Sequence, residues 1–194
     1  MTLLLFGQAR RPGFPSDVEE NVELRDIVRD VKDFPKPGIV FKDITPLLAN
    51  PQLFAYVVDR LADFTQQKES DVVLAAEARG YLFGAAVAYK LGLPLVIVRK
   101  PGKLPYKTIS HTYELEYGTD TLEIHEDAIR KGQRVMLVDD LLATGGTVEA
   151  CAELVEKLGG VVAGCAFFIE LSFLKGRQKL KDYEIFSLVD FESE

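Results

Sequence analysis

Short apolar runs along the chain alternate with stretches in which apolar residues return every three or four positions. Leu24, Ile27, Val28 and Val31 keep that spacing and predict a helix beginning at Val22, ended by Pro35 and Pro37 in the FPKPG loop. Residues 39–44 form a short extended piece. Phe54, Val57, Val58 and Leu61 mark one face of a helix over 51–64. Val72–Ala76 reads as a buried strand, 81–91 as a helix with Gly84, Ala85 and Ala88 on its packing side, and 95–99 as another strand. Residues 101–119 are polar and punctuated by Gly and Pro, which predicts a loop or a flexible hairpin. A short strand over 122–124 and a helical turn over 125–129 follow. Residues 135–138 are a continuous apolar run, as expected of a strand covered on both faces. Val148, Cys151, Val155 and Leu158 are in register for a helix over 147–158, with Gly159 as its cap. Val161–Leu171 is the next strand. Strands alternating with helices predict right-handed crossovers and an α/β fold whose central, mostly parallel sheet is flanked by helices.

Length and composition sharpen this picture. A chain of 194 residues fits one domain, 22–194, preceded by an extension, 1–21, whose RRPG and FP punctuation predicts poor packing. There is no internal repeat and no low-complexity tract. A net charge of -7 and a pI of about 5.0 argue against nonspecific nucleic-acid binding, which runs on a basic surface. The apolar stretch at 3–6 is shorter than the ~7–15 residues of a signal-peptide core. No run approaches the ~18 apolar residues of a membrane span. A soluble cytoplasmic protein is expected, with no membrane contact. Cys151 and Cys165 lie far apart inside apolar runs and predict buried thiols in a reducing compartment. Two histidines are too few to suggest a zinc site.

The chemistry concentrates in 134–147, RVMLVDDLLATGGT. Asp139 and Asp140 follow the apolar run at a strand's carboxyl end, where ligands bind in open parallel sheets. Ala143, Thr144, Gly145, Gly146 and Thr147 lead into a helix. The two glycines permit tight turns that aim several amide N–H groups at one anion, and the helix N-terminus adds partial positive charge. This suits one phosphate dianion, with two carboxylates beside it to accept hydrogen bonds from the 2′- and 3′-hydroxyls of a ribose. Taken alone, adjacent acids would also suit solvated caps or Mg²⁺ ligands. No Lys follows Gly146, so this is not the GxxxxGK[ST] triphosphate loop, and GxGxxG is absent.

VMLVDDLLATGGT resembles the phosphoribosyl-pyrophosphate motif of the type I phosphoribosyltransferases. AAEARGYLFG at 75–84, VRKPGKLP at 98–105, YELEYGTDTLEIHEDAI at 113–129 and FPKPGIVFKDITPLL at 34–48 are similar to the adenine-specific branch of that family. The resemblance runs from about Val22 to the C-terminus. It implies the family's fold, with a small base-binding hood over 22–48 and a flexible lid loop. It also implies an enzyme of purine salvage that converts adenine and 5-phosphoribosyl 1-pyrophosphate to AMP and pyrophosphate.

Matched position by position, the resemblance assigns Asp139 and Asp140 to the ribose and Ala143–Thr144–Gly145–Gly146–Thr147 to the 5′-phosphate. Glu77, Ala78, Arg79 and Gly80 match the pyrophosphate loop, joined by Arg99, Lys100 and Lys103 of the lid, with Arg79 and Lys103 also expected to act in catalysis. Glu116 matches a general acid or proton shuttle near N7 of adenine, and Tyr117 would help close the site. Phe34, Val40 and Lys42 match positions around the base. Many family members carry Arg where this chain has Lys42. Mg²⁺ is expected as the cofactor, held mainly by substrate and water with no certain direct ligand. A homodimer is expected, with Arg99 near the neighbouring subunit's site.

Two alternatives remain at this level. One is a sibling transferase for hypoxanthine or guanine, which would keep the phosphate loop and change the base-reading segment. The other is a non-catalytic regulator that senses phosphoribosyl pyrophosphate. Such regulators carry a winged-helix module, for which the residues before FPKPG are too few.

Overall fold

The structure is a computed structural model and describes residues 24–114 and 118–193. Five strands form one wholly parallel sheet in the order β4-β3-β7-β8-β9: β3 (Val72–Ala76), β4 (Leu95–Val98), β7 (Arg134–Leu142), β8 (Val161–Leu171) and β9 (Ile185–Phe191). Strand neighbours follow the chain on one side of β3 and reverse on the other. The chain therefore leaves in opposite directions from β3 and β7, and a crevice opens beyond their carboxyl ends.

Side chains alternate across this sheet, which explains the unbroken apolar runs. Val72, Leu74, Val135, Leu137, Cys165 and Phe167 enter a core roofed by α4 (Gly146–Lys157). Val73, Met136, Val138, Ala166 and Phe168 enter the opposite core, roofed by α1 (Thr45–Leu48), α2 (Pro51–Gln67) and α3 (Gly80–Leu91). Gly84 lets α3 lie close to the sheet, since a Cβ there would stand 2.6 Å from that of Ala75. Gly84 and Ala88 are buried as expected, but Ala85 is exposed. Asn50 caps α2 by accepting from the Leu53 N–H at 3.0 Å, with Pro51 in the first helical position.

Two antiparallel pairs flank the sheet. β1 (Arg29–Lys32) pairs with β2 (Val40–Asp43) in the 22–48 region. This corrects the helix expected from Val22. Residues 24–27 form a turn whose Leu24 and Ile27 pack on the second core, and the backbone then bonds across to β2. The apolar spacing was real but was satisfied by one turn. β5 (Thr108–Glu114) and β6 (Thr119–His125) form a regular hairpin where a loop or flexible hairpin was expected. Tyr113, Leu122 and Ile124 anchor it in the first core. α1, β9 and the 3-10 turns Ser172–Leu174 and Gly176–Lys179 were not foreseen. Cys151 and Cys165 are both buried and free; burial raises both thiols, that of Cys165 to about 12.

Candidate active site

The crevice beyond β3 and β7 is an open cleft of about 400 Å³. One wall is Glu77, Ala78 and Arg79, where β3 passes into α3. The other runs from Asp139 through the loop to Val148. The pyrophosphate-loop and ribose-and-phosphate residues foreseen from sequence thus face one space, although they lie far apart in the chain. Gly80 is buried at the first turn of α3.

Asp139 and Asp140 lie within β7 rather than beyond it, because the strand continues to Leu142 and Asp139 still pairs in register with Phe167 of β8. Asp139 Oδ1 accepts from the Asp140 N–H at 2.8 Å. Arg79 Nε stands 2.7 Å from Asp140 Oδ2, yet that buried oxygen has no aligned hydrogen bond. Burial, then repulsion from Asp140, lift the Asp139 carboxyl well above the ordinary carboxylate range. Burial also raises Asp140, with Arg79 opposing it. Two crowded carboxylates with an unbonded oxygen can accept hydroxyl donors from a ligand.

Gly145 takes a left-handed φ of 83°, so the chain turns there directly into α4, whose first residue is Gly146. The loop amides therefore sit at a helix N-terminus, where an anion is favoured. Tyr113 of the hairpin brings its hydroxyl within 3.4 Å of Thr147 Oγ1 and donates to Asp120 Oδ2 at 3.2 Å.

The cations expected in the lid are organised around Glu77. Its carboxylate accepts from Lys103 Nζ at 2.8 Å, the Lys100 N–H at 3.1 Å and Arg99 Nε at 3.2 Å. Burial disfavours the charged form of Glu77, but these three donors outweigh it and hold the carboxyl below its ordinary range. Lys100 turns its ammonium to Asp120. Lys107 lies 3.8 Å from Glu126, away from this group. Arg99, Lys100 and Lys103 thus gather at the edge of the cleft.

The residues expected around the base divide. Phe34 is exposed and packs edge-on against Phe41, with ring centroids 5.2 Å apart. Phe41 reaches Arg79, whose guanidinium carbon is 4.9 Å from its ring centre. Val40 is half-buried in β2. The Lys42 side chain turns away from the cleft. It is 3% exposed, pairs with Asp30 at 2.7 Å and lies 4.3 Å from the ring centre of Phe191 in β9. Adjacent strand residues point to opposite faces, so the side chains of Phe41 and Lys42 cannot enter one site, while the backbone groups of Val40 and Lys42 are not bound by that alternation. Glu116 and Tyr117 lie outside the described residues, as does the extension 1–21. Sequence reasoning overlooked Phe41, and also Leu141, Leu142 and Val148 of the cleft wall. Both leucines lie inside the DDLLATGGT string and could have been taken with it.

No three of the His, Cys, Asp and Glu side chains among the described residues converge as a metal cage. The donors that the cleft offers are the carboxylates of Glu77, Asp139 and Asp140, and Glu77 is already engaged by cations. The Asp139–Asp140 pair has the hard oxygens that suit Mg²⁺ shared with a substrate.

A crevice at the reversal of a parallel sheet, with paired acids leading into a glycine-rich helix start, defines a class, and a profile of the phosphoribosyl transferase domain matches residues 44–193. An adenine phosphoribosyltransferase of Geobacter metallireducens is 58% identical over 169 residues, 87% of this chain and 99% of its own. The crystal structure of adenine phosphoribosyltransferase from Thermoanaerobacter pseudethanolicus superposes with a TM-score of 0.85 at 56% identity, covering 87% of this chain and 98% of that one. The Saccharomyces cerevisiae adenine phosphoribosyltransferase, solved with an imino-altritol bisphosphate and adenine, gives 0.79 at 41%, covering 85% and 96%. The chain belongs to the phosphoribosyltransferase family and, within it, to the adenine phosphoribosyltransferases.

Proposed function

We propose that the protein transfers the 5-phosphoribosyl group of phosphoribosyl pyrophosphate to adenine, giving AMP and pyrophosphate in purine salvage. The observation that carries this reading is the pairing, across one cleft, of the Asp139–Asp140 acids and glycine loop with the Glu77–Arg79 turn. The relatives' names and the adenine in the yeast complex support it.

In the reaction the C1–oxygen bond to pyrophosphate breaks, the bond from adenine N9 to C1 forms, and adenine gives up one proton. C1 passes through an oxocarbenium-like state, so catalysis means stabilising the departing negative charge and holding the base close. Amides of 143–147 and the hydroxyls of Thr144 and Thr147 seat the 5′-phosphate. Asp139 and Asp140 accept from the ribose hydroxyls, which supply the donors that Asp140 Oδ2 lacks. Arg79 and Gly80 border the pyrophosphate. Lys103, Arg99 and Lys100 bring positive charge to it once they exchange their present carboxylate partners for phosphate oxygens. Bound Mg²⁺ would neutralise pyrophosphate charge, and Asp139 and Asp140 are the carboxylates that could share it with the substrate. Glu116 takes the proton role and Tyr117 closes over the base.

The working form is a homodimer. Leu95 and Ile97 on the edge strand β4 and Leu82 on α3 are exposed apolar side chains, and β4 runs directly into Arg99 and Lys100. A second copy docked on this edge would lie beside the lid cations. The compartment is the cytoplasm: the buried free thiols suit a reducing environment, and no described helix is long and apolar enough to cross a membrane.

A coupled pyrophosphate assay with Mg²⁺, phosphoribosyl pyrophosphate and each purine in turn tests the reading. Adenine should be the sole good acceptor. Comparable turnover with hypoxanthine or guanine would overturn the adenine assignment.

A further inference from the structure

We propose that Gly176 and Arg177, which line no part of the cleft, form a brace that sets the backbone of the 143–147 loop for the substrate's 5′-phosphate. The inference rests on the reading of that loop as the phosphate seat.

Gly176 is buried directly behind the loop. A Cβ on Gly176 would collide with the carbonyl oxygen of Ala143 and stand 3.1 Å from the backbone nitrogen of Gly145. In return, a Cβ on Gly145 would lie 2.6 Å from the carbonyl oxygen of Gly176. Two backbones therefore abut with no room for a side chain on either. Gly145 also needs glycine for its left-handed φ. Gly176 has no such requirement, so the contact alone accounts for glycine there. What it would strike is main chain, which cannot swing aside as a flexible side chain can.

The segment that presents Gly176 is itself fastened. Lys175 adopts a left-handed φ of 58°, turning the chain sharply from one 3-10 turn into the next. Arg177 then grips the buried Glu170 of β8 with both arms of its fork, Nε to Oε1 at 2.6 Å and Nη2 to Oε2 at 2.7 Å. Ser187 of β9 donates to the same carboxylate at 2.7 Å, and Arg177 Nη2 reaches the Ser187 hydroxyl at 3.2 Å. On the far side Lys179 lies 3.3 Å from Glu149 in the first turn of α4. The turn is thus tied to β8, β9 and the helix that the phosphate loop begins. A planar fork on a carboxylate fixes orientation as well as distance, which a lysine cannot reproduce.

The brace touches only one half of the substrate's seat. The turn at 77–80 and the lid cations, which face the pyrophosphate, have no contact with it among those described. Displacing loop amides by a fraction of an ångström therefore costs phosphoribosyl binding and spares pyrophosphate. Misplacement of about 1 Å can cost roughly 100-fold.

The test compares the full-length protein with Gly176→Ala, Arg177→Lys and Thr147→Val, measuring dissociation constants for ribose 5-phosphate and, separately, for pyrophosphate with Mg²⁺. Gly176→Ala should weaken ribose 5-phosphate at least about 10-fold and raise KM for phosphoribosyl pyrophosphate in parallel, with pyrophosphate affinity within about two-fold. Arg177→Lys should give the same split to a smaller degree, and carries the test if Gly176→Ala does not fold. Equal losses for both ligands would mean general disruption and would overturn the brace, as would no loss for either. If Thr147→Val weakens ribose 5-phosphate while the brace variants do not, only the brace fails. If none of the three affects it, the assignment of the loop fails first.

Discussion

A Cβ on Gly80 would lie 2.6 Å from Oδ1 of Asp139 and 3.2 Å from its Cγ. The contact joins the turn after β3 to the acids of β7, so the two walls of the cleft meet through one missing side chain. Asp139 Oδ1 also accepts from the Asp140 N–H, which leaves the carboxylate little freedom to retreat. Gly80 is helical and needs no left-handed backbone, so Gly80→Ala is tolerated by the helix itself. We expect kcat/KM for phosphoribosyl pyrophosphate to fall roughly 100-fold, with a cooperative thermal transition retained. Unchanged steady-state kinetics would show that Asp139 does not hold the substrate.

Asp139 also has a stability signature. Burial, reinforced by Asp140, raises its folded pKa above the ordinary value of 3.8. The folded chain then binds its proton more tightly than the unfolded chain. Its contribution to stability is full below about pH 4 and is lost as pH rises through the elevated folded value. Asp139→Asn removes that loss. The variant should melt roughly 3 °C or more above the parent at pH 8, with the gap closing toward pH 4, while phosphoribosyl transfer falls sharply. A melting point below the parent's at pH 8 would contradict the electrostatic argument.

Lys42 ties the β1–β2 pair to the sheet. Its ammonium sits between Asp30 of β1 and the ring of Phe191 in β9, while its neighbour Phe41 meets Arg79 on the other face. Lys42→Met preserves length and removes the charge. A desolvated cation–π contact is worth about 2 kcal/mol, so KM for adenine should rise roughly 5–30-fold with KM for phosphoribosyl pyrophosphate nearly unchanged. Lys42→Arg should restore most of the loss. A rise in both constants together would argue for unfolding rather than a shift of the β1–β2 pair.

The exposed edge formed by Leu82, Leu95 and Ile97 should be covered in solution. Ile97→Asp puts a charge into that face, where an unpaired buried charge is strongly disfavoured. Sedimentation should show a dimer for the parent and a monomer for the variant at micromolar concentration. A parent that sediments as a monomer would remove the dimer from the reading.

Where the residues carried local instructions, the sequence was legible. Val161–Leu171 is apolar on both sides and is the observed β8, and the glycines and threonines of 143–147, expected as a tight turn into a helix, do turn into α4 at Gly145. Legibility failed where the deciding contact is distant. Leu24, Ile27 and Val28 carry helical spacing, but the backbone that follows finds β2 as its partner. IFSLVDF at 185–191 lacks a clean alternation and becomes a strand because β8 offers it an edge. The side-chain direction of Lys42 depended on Phe191, and the importance of Gly176 on a loop some thirty residues earlier; neither has a local signal. Arg79 and the paired acids were recognised separately, while their 2.7 Å approach needed the pairing of β3 with β7.

That pairing has a bearing on how the protein would be handled as a folding system. Val72 and Val135 are register partners, so the two walls of the cleft are brought together only once the middle of the sheet has closed over a long intervening stretch of chain. A fragment ending before β7, or one starting after β3, owns half a seat. Ligand occupancy is therefore a gauge of global closure: phosphoribosyl pyrophosphate should raise the resistance of the whole sheet to hydrogen exchange together, β3 and β7 rising in step, because it binds only the fully closed molecule.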